Sequence, residues 1–367
     1  MTQRPTGPTA ASTNSLTTLL LPRLSGWAGQ LTDEDRYTSL ETILARAEVS
    51  SPLASQLDPL RMKLLGQSKD DKRGEEVPVA ALGLLAAGII PTTDNAYHLR
   101  LDPVTLQADI SRVVLMGSDF SSFPANYQQQ VLDIIRQVLA DDGLELRVSD
   151  FWSISLPQHP AVQFTSLDDA LGADVSECLP EGPAGQRWKR LSNDIQMALH
   201  ASAANQQRRQ RGEALINGAW FWGGGQLPGR AESCLYDQVF SNDPVSAGLA
   251  RLQDVAPVLP GELLNAMQVG GCAAAIFPPG SLFVDWAIPA ALKQAANIVL
   301  TPARLEAFCA VALARLKSQG GILELHNPEI CLRLTPAMLK RFWRRPKPLR
   351  RQLMQMFSSV MPNRGEA

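Results

Sequence analysis

Apolar positions along the chain recur with two spacings, and the alternation between them predicts an α/β protein. The clearest helical stripe is Val131, Ile134, Ile135, Val138 and Leu139, at i, i+3, i+4, i+7 and i+8, within a helix predicted over 127–139. Further helices are predicted over 38–47, 59–65, 78–88 and 243–252. One more spans 302–317, with Thr301 as cap, Pro302 at the first position and Gly320-Gly321 as the stop. Pro336, behind a Thr335 cap, begins a last helix over 336–342. Short apolar runs predict strands at 16–21, ended by Pro22, at 97–101 and at 112–116, the last apolar enough to be central. Others fall at 144–148 and 152–156, a hairpin-like pair, at 220–222, at 272–277 before Pro278-Pro279-Gly280, and at 322–326 and 330–334.

Between these elements the pattern lapses. Residues 1–14 are rich in Pro, Ser and Thr and are expected to be disordered, and the mixed charges of 67–76 read as a solvated loop. The Pro/Gly-rich 256–261 is the best internal boundary. The expected class is α/β, α+β in detail, with a mixed sheet and flanking helices; no internal repeat is visible.

One stretch, 188–230, concentrates the unusual residues. Leu191, Ile195, Met197, Ala198 and Leu199 form a helical stripe with Asn193, Gln196 and His200 on or beside it. A basic, polar connector over 205–213 leads to Trp220-Phe221-Trp222, a short strand, and then to Gly223-Gly224-Gly225, where the backbone can turn or approach another group closely. Two readings compete. In one, the tryptophans fill core volume and the glycines serve packing. In the other, Asn193, Gln196, His200, Asn205, Arg208, Arg211 and Asn217 surround a floor made by Trp220, Trp222, Gly223 and Gly224, giving amide donors and a guanidinium fork suited to a phosphate or carboxylate. Residue types alone favour packing.

The succession Gln196-Met197, His200, Asn205-Gln206, Arg208, Arg211-Gly212, Ile216-Asn217 and Trp220-Phe-Trp-Gly-Gly-Gly225 resembles the RpfE-type bacterial regulatory proteins. That family is itself similar to the cap region of archaeal-type cofactor-independent phosphoglycerate mutases. Upstream, Pro78-Val-Ala-Ala-Leu-Gly-Leu84 and the segment from His98 to Asp109 extend the likeness, which covers roughly 78–255. Where relatives carry a second His and a Pro before the Asn, this chain has Ser202 and Ala203, so no His pair is carried over. The resemblance implies an alkaline-phosphatase or phosphoglycerate-mutase-like remnant: core halves at 15–95 and 256–335, a cap-like α+β module at 96–255, and a basic helix and tail at 336–367.

The bulk numbers narrow the class. A length of 367 residues with 45% hydrophobic composition supplies ample core. A net charge of −2 argues against general nucleic-acid binding. Cys178, Cys234, Cys272, Cys309 and Cys331 are scattered without a CxxC pair and read as reduced thiols. The apolar runs at 16–21 and 80–90 are too short to span a bilayer, so a cytoplasmic protein without a membrane span is expected.

Chemistry is harder to find. Phosphomutases of the resembled superfamily hold two metals with Asp and His ligands and activate a Ser or Thr nucleophile. The four histidines here, His98, His159, His200 and His326, have no companion at ligand spacing, and the first strand runs into Pro22-Arg23 instead of a metal-binding turn. No G-x-S-x-G, Walker or Rossmann pattern occurs. No cofactor, metal or catalytic residue is assigned. The expectation is a non-catalytic regulatory or interaction protein that has lost the metal site. Its alternatives are a phosphoglycerate mutase or phosphohydrolase using His200, Arg208 and Arg211, and a sensor of a small phosphorylated or carboxylated metabolite.

The segment 340–351 carries seven basic residues, two aromatics and no acid. It reads either as a solvated helix end or as a docking surface for an acidic partner, with Arg341, Trp343, Arg344, Arg345, Arg350 and Arg351 as its residues.

Overall fold

The computed structural model describes residues 15–22, 24–67, 76–117, 119–231, 235–263, 280–286 and 300–358. The elements run β1 (Leu16–Leu20), α1 (Thr38–Arg46), β2 (Glu48–Ser50), α2 (Leu57–Leu64), α3 (Val79–Ala86), β3 (Tyr97–Ala108), β4 (Val113–Gly117), α4 (Ala125–Asp141), β5 (Leu146–Val148) and β6 (Trp152–Leu156). There follow α5 (Leu167–Ala170), α6 (Gly185–Ala201), α7 (Ala203–Gln210), β7 (Gly218–Gly225), β8 (Gln238–Phe240), α8 (Pro244–Leu252), β9 (Pro257–Val258), β10 (Leu282–Asp285), α9 (Pro302–Gln319), β11 (Ile322–His326), β12 (Cys331–Leu334) and α10 (Leu349–Phe357). They divide into two compact units. One is drawn from 1–67, 231–288 and 296–367, the other from 68–230 with 289–295.

The first unit is built on a mixed sheet of order β2-β12-β11-β1-β10-β8-β9. β1 runs parallel to β10 and β11, β10 to β8 and β8 to β9, while β12 is antiparallel to both neighbours. Because strand side chains alternate, register sorts this sheet into two faces. Leu19, Leu282, Val284, Leu323 and Leu325 share one face and pack with Leu40 and Ile43 of α1, Leu305 and Phe308 of α9, and Leu353 and Phe357 of α10. Thr18, Leu20, Phe283, Asp285, Glu324 and His326 share the other.

In the second unit β3 pairs with β6 through 97–101, with β7 through 98–104 and with β4 through 105–108. Leu99, Leu101, Ile154 and Phe221 meet Val131, Ile135 and Leu139 of α4 and Trp188, Leu191, Ile195 and Leu199 of α6 in one core. The Trp188 ring stands edge-on to Phe221 and Phe164, with centroids 5.2 and 5.1 Å away.

Several expectations are corrected. β4 lies at the edge of its sheet with Val113 and Met116 exposed and only Leu115 buried, so its apolar run marks an edge and not a centre. The polar connector is largely helix α7, which starts because the Ser202 Oγ accepts the Asn205 amide proton at 3.2 Å. β7 continues through the glycines. The segment 256–261 is no boundary, since β9 pairs with β8 inside the first unit. Residues 336–342 hold only a 3-10 turn, Met338–Lys340, and the final helix starts after Pro348. α3 packs on β3 and β7, and the units divide at 67/68 and 230/231. The strand expected at 272–277, the expected disorder at 1–14, most of the 67–76 loop, and Cys234 and Cys272 lie outside the described residues.

Candidate functional site

In open α/β sheets ligands gather beyond the carboxyl ends of parallel strands. In the first unit β1, β10 and β11 end on Leu20, Asp285 and His326, which are register partners and face the same way. Cys331 on β12 continues the row beside His326. Two strand spacings put Asp285 and His326 roughly 10 Å apart, with Leu20 between them.

Asp285 belongs to a buried ionic cluster. Nε of Arg61, on α2, is 2.8 Å from Asp285 Oδ2 and 3.2 Å from Asp243 Oδ1, and Nη1 is 2.6 Å from Asp58 Oδ1. Ser246 Oγ donates to Asp285 Oδ2 at 2.7 Å, and Asp243 caps α8 by accepting the Val245 and Ser246 amides. Arg61, Asp243, Ser246 and Asp285 are buried, and Asp58 is partly exposed. Burial opposes the charge on Arg61, but the attraction of Asp243, Asp285 and Asp58 outweighs it and raises its pKa. Burial also pushes the Asp243 carboxyl up to about 7, against the pull of Arg61 and with the help of Asp285 and Asp58. Burial and the neighbouring Asp285 and Asp58 carboxylates thus favour a proton on Asp243. Its Oδ2, buried without a partner, has room for that proton.

His326 is buried, with Nε2 3.1 Å from Glu324 Oε2 and 3.8 Å from Cys331 Sγ. Desolvation works against its cation, but the bonds to Cys331 and Glu324 prevail and raise the pKa to about 9. Both partners lie on one ring nitrogen and Nδ1 is unpartnered, which differs from a relay, where the base uses one nitrogen for the nucleophile and the other for its orienting acid.

The residues singled out in the second unit separate into committed and exposed groups. Asn205 is buried: its Nδ2 donates to the Leu199 and Ile216 carbonyls at 2.9 and 2.7 Å, and its Oδ1 accepts from Tyr127 at 2.6 Å. Asn217 donates to the Leu106 carbonyl and accepts its amide proton. Arg208 donates to the Ala214 carbonyl, pairs with Glu213 at 3.0 Å and lies over the Tyr127 ring at 4.6 Å. Trp220 Nε1 bonds the Thr165 carbonyl, and Trp222 Nε1 bonds Asp102 while its ring faces Arg100 at 5.0 Å. Asn193, Gln196 and His200 lie on the exposed side of α6, where His200 Nδ1 meets Arg209, and Arg211 is exposed as well. The Asn205 and Asn217 amides and the Arg208 guanidinium thus bond backbone and neighbours within the unit, while Asn193, Gln196, His200 and Arg211 face solvent.

The glycines do have a polar neighbour. That neighbour is the Glu76 carboxyl, whose Oε1 is buried without a hydrogen-bond partner and whose pKa burial raises to about 7 against the pull of the nearby Gly224, Gly223 and Phe164 amides. Gly223 holds φ +63°, a left-handed conformation, and a Cβ on Gly224 would run into the Tyr97 hydroxyl. The glycines therefore permit close approach to Val79, Pro78 and Tyr97 within the unit.

In the basic segment, Arg341 and Arg344 donate to the Arg46 and Ala47 carbonyls at 3.3 and 3.2 Å. Arg351 pairs with Asp33 at 2.8 Å and Arg350 at 3.7 Å, while Arg345 and Trp343 are exposed. Arg344, Arg350 and Arg351 are thus part of the fold as well as basic.

The sequence reading missed Arg61, Asp58, Asp243 and Asp285. β10, which ends on Asp285, was not among the predicted strands, and no local spacing connects Asp285 to an arginine 224 positions away. Among the described residues, no group of three or more His, Cys, Asp or Glu is arranged to hold a metal, and no helix is long and apolar enough to cross a membrane.

Neither a protein-family profile nor a curated protein sequence matches the chain. Among solved structures it is similar to the cofactor-independent phosphoglycerate mutase from Thermoplasma acidophilum, with 12% identity over 94% of this chain and 98% of that one, at a TM-score of 0.44. It is likewise similar to a protein from Pyrococcus horikoshii, with 11% identity over 95% and 93% of the two chains and a TM-score of 0.49.

Proposed function

We propose that the chain is a non-catalytic regulatory or interaction protein, related to the cofactor-independent phosphoglycerate mutases but without their metal chemistry. The observation that carries this reading is Arg61, whose guanidinium already occupies the space among Asp58, Asp243 and Asp285. A two-metal centre needs about half a dozen oxygen or imidazole ligands around two ions. The described residues do not fit one. Their carboxylates are engaged by an internal cation, and Leu20 separates Asp285 from His326. The likeness of 193–225 to RpfE-type proteins supports the regulatory half of the reading. Interconversion of 3- and 2-phosphoglycerate by the purified chain is expected to stay at background with and without Mn2+ or Mg2+, and titration with Mn2+ to show no stoichiometric uptake. Metal-dependent turnover that disappears in Asp285→Asn would overturn the proposal.

A second reading, a sensor of a carboxylated or phosphorylated metabolite, rests on the exposed Asn193, Gln196, His200 and Arg211 side chains, which offer amide, imidazole and guanidinium donors. A ligand at 100 times its Kd adds about 2.7 kcal/mol of stability, so a thermal-shift screen of phosphorylated and carboxylated metabolites tests it. No shift with any of them rejects the sensor.

A further inference from the structure

Among the described residues of the first unit, Phe342 and Trp343 are the most exposed large apolar side chains. Between the 3-10 turn Met338–Lys340 and α10, the Arg344 amide donates to the Arg341 carbonyl at 3.1 Å, closing a four-residue turn. Its two central residues are Phe342 and Trp343, 78% and 66% exposed. Such positions ordinarily go to Gly, Pro, Asn, Asp or Ser, which favour the backbone geometry and suit water. Two large aromatics there hold apolar surface in solvent, where burial of each side chain would be favourable.

The turn is firmly mounted. Arg341 and Arg344, its two corners, donate to the carbonyls of Arg46 and Ala47 at the end of α1, and Arg46 Nη1 returns a bond to the Leu339 carbonyl at 2.7 Å. On the other side α10 is seated by buried Leu349 and Leu353, with Gln352 Nε2 bonded to the Glu41 and Lys347 carbonyls. The rings are therefore presented on a preformed support, which lowers the ordering entropy of an encounter. Exposed cations surround them. Lys340, Arg345 and Lys347 make no ion pair among the described residues, and 340–351 contains no acid.

We propose that the turn at 341–344 is an interfacial anchor that seats Phe342 and Trp343 in the headgroup region of an anionic bilayer while Lys340, Arg345 and Lys347 meet the lipid charges. Aromatic rings favour that region, and juxtaposed cations add attraction to anionic lipid. A single-stranded nucleic acid fits less well. The rings stand at 81° with centroids 5.3 Å apart, edge against face, and do not offer a stepped stack to successive bases. An acidic protein would need an apolar pocket to receive both rings, whereas a bilayer needs only their projection.

The test uses the full chain and vesicles of phosphatidylcholine alone or mixed with phosphatidylserine. Co-sedimentation is expected only with the anionic vesicles, and brominated lipid should quench a tryptophan signal that vanishes in Trp343→Phe while binding persists. Phe342→Ser with Trp343→Ser should reduce partitioning about tenfold or more. Lys340→Gln with Arg345→Gln and Lys347→Gln should reduce it by about 100-fold, each cation near an anionic surface contributing about 1 kcal/mol. Unchanged melting of the variants would show that the losses are local; should the serine variant melt early, the quenching experiment and the glutamine variant decide. Absence of binding to anionic vesicles, binding indifferent to the aromatic pair, or displacement from vesicles by single-stranded DNA at equal ionic strength would each overturn the anchor.

Discussion

Nε of Arg61 lies 2.8 Å from Oδ2 of Asp285, across 224 positions of sequence, and neither side chain is open to solvent. The pair ties α2 to the end of β10, and Asp243 brings in α8 through the same nitrogen. Burying such a group is costly unless its hydrogen bonds are satisfied, and Ser246 Oγ and the α8 amides supply part of that. What stands at the carboxyl end of the sheet is therefore a fastening between elements, charged in composition and closed in geometry.

Removing the cation should be far worse than neutralising one carboxylate. Arg61→Ala leaves Asp285 and Asp243 buried without it and is expected to cost about 3 to 5 kcal/mol. Asp243→Asn should cost about 1 kcal/mol or less at pH 7, because the carboxyl is already half neutral there and Asn caps a helix as well as Asp. Urea denaturation of both variants at pH 7 gives the comparison. Equal losses would mean that Asp243 is fully ionised in the native state.

In the second unit Tyr127 and Asn205 form a closed set of bonds. The Tyr127 hydroxyl donates to Asn205 Oδ1 at 2.6 Å and accepts the Ile216 amide proton at 2.8 Å. Tyr127→Phe orphans both and should destabilise by about 1 to 3 kcal/mol. Asn205→Ala should lose a similar amount. Thermal denaturation checks this: an Asn205 kept for a ligand would leave the melting temperature alone and change only binding.

How much of this was legible follows from how locally each feature is encoded. The helix at α4 and the capped helix at α9 carry their stripe, cap and stop within a few residues, so periodicity sufficed. β10 was not anticipated, because four residues ending on Asp285 acquire strand character through parallel pairing with β1 and β8, each distant in sequence. The same holds for the Arg61 cluster. In 188–230 the unusual residues were recognised but not their partners: the Leu199, Ala214, Ile216 and Leu106 carbonyls that use up Asn205, Arg208 and Asn217 are backbone atoms, invisible to motif reasoning.

His326 should make stability depend on alkaline pH. Its folded pKa of about 9 lies above the ordinary 6.5, so the folded state holds the proton more tightly than the unfolded one. That contribution, on the order of 3 kcal/mol, is fully present below pH 6.5 and is lost as pH rises through 9. Melting temperatures between pH 6 and 9.5 should fall across this window in the native chain and fall less in His326→Gln. Parallel curves would show that Glu324 and Cys331 do not hold the imidazolium.

Glu76 places a second, earlier window in the other unit. Burial lifts its carboxyl from an ordinary 4.5 to about 7, although the Gly224, Gly223 and Phe164 amides favour the anion and pull the other way. The folded state thus retains a proton that the unfolded chain releases, and the stabilisation is complete below pH 4.5 and lost as pH rises through 7. A glutamine has nearly the same shape but cannot ionise, so Glu76→Gln should be less stable than the native chain or equal to it at pH 5, and should gain on it by on the order of 3 kcal/mol by pH 8. Chemical denaturation at the two pH values measures that gain. Its sign separates the two states open to this carboxyl: if Gln gains nothing at pH 8, the surroundings hold an ionised carboxylate as readily as water does; if Gln gains as expected, burial dominates and Glu76 sits there mainly as a neutral packing group.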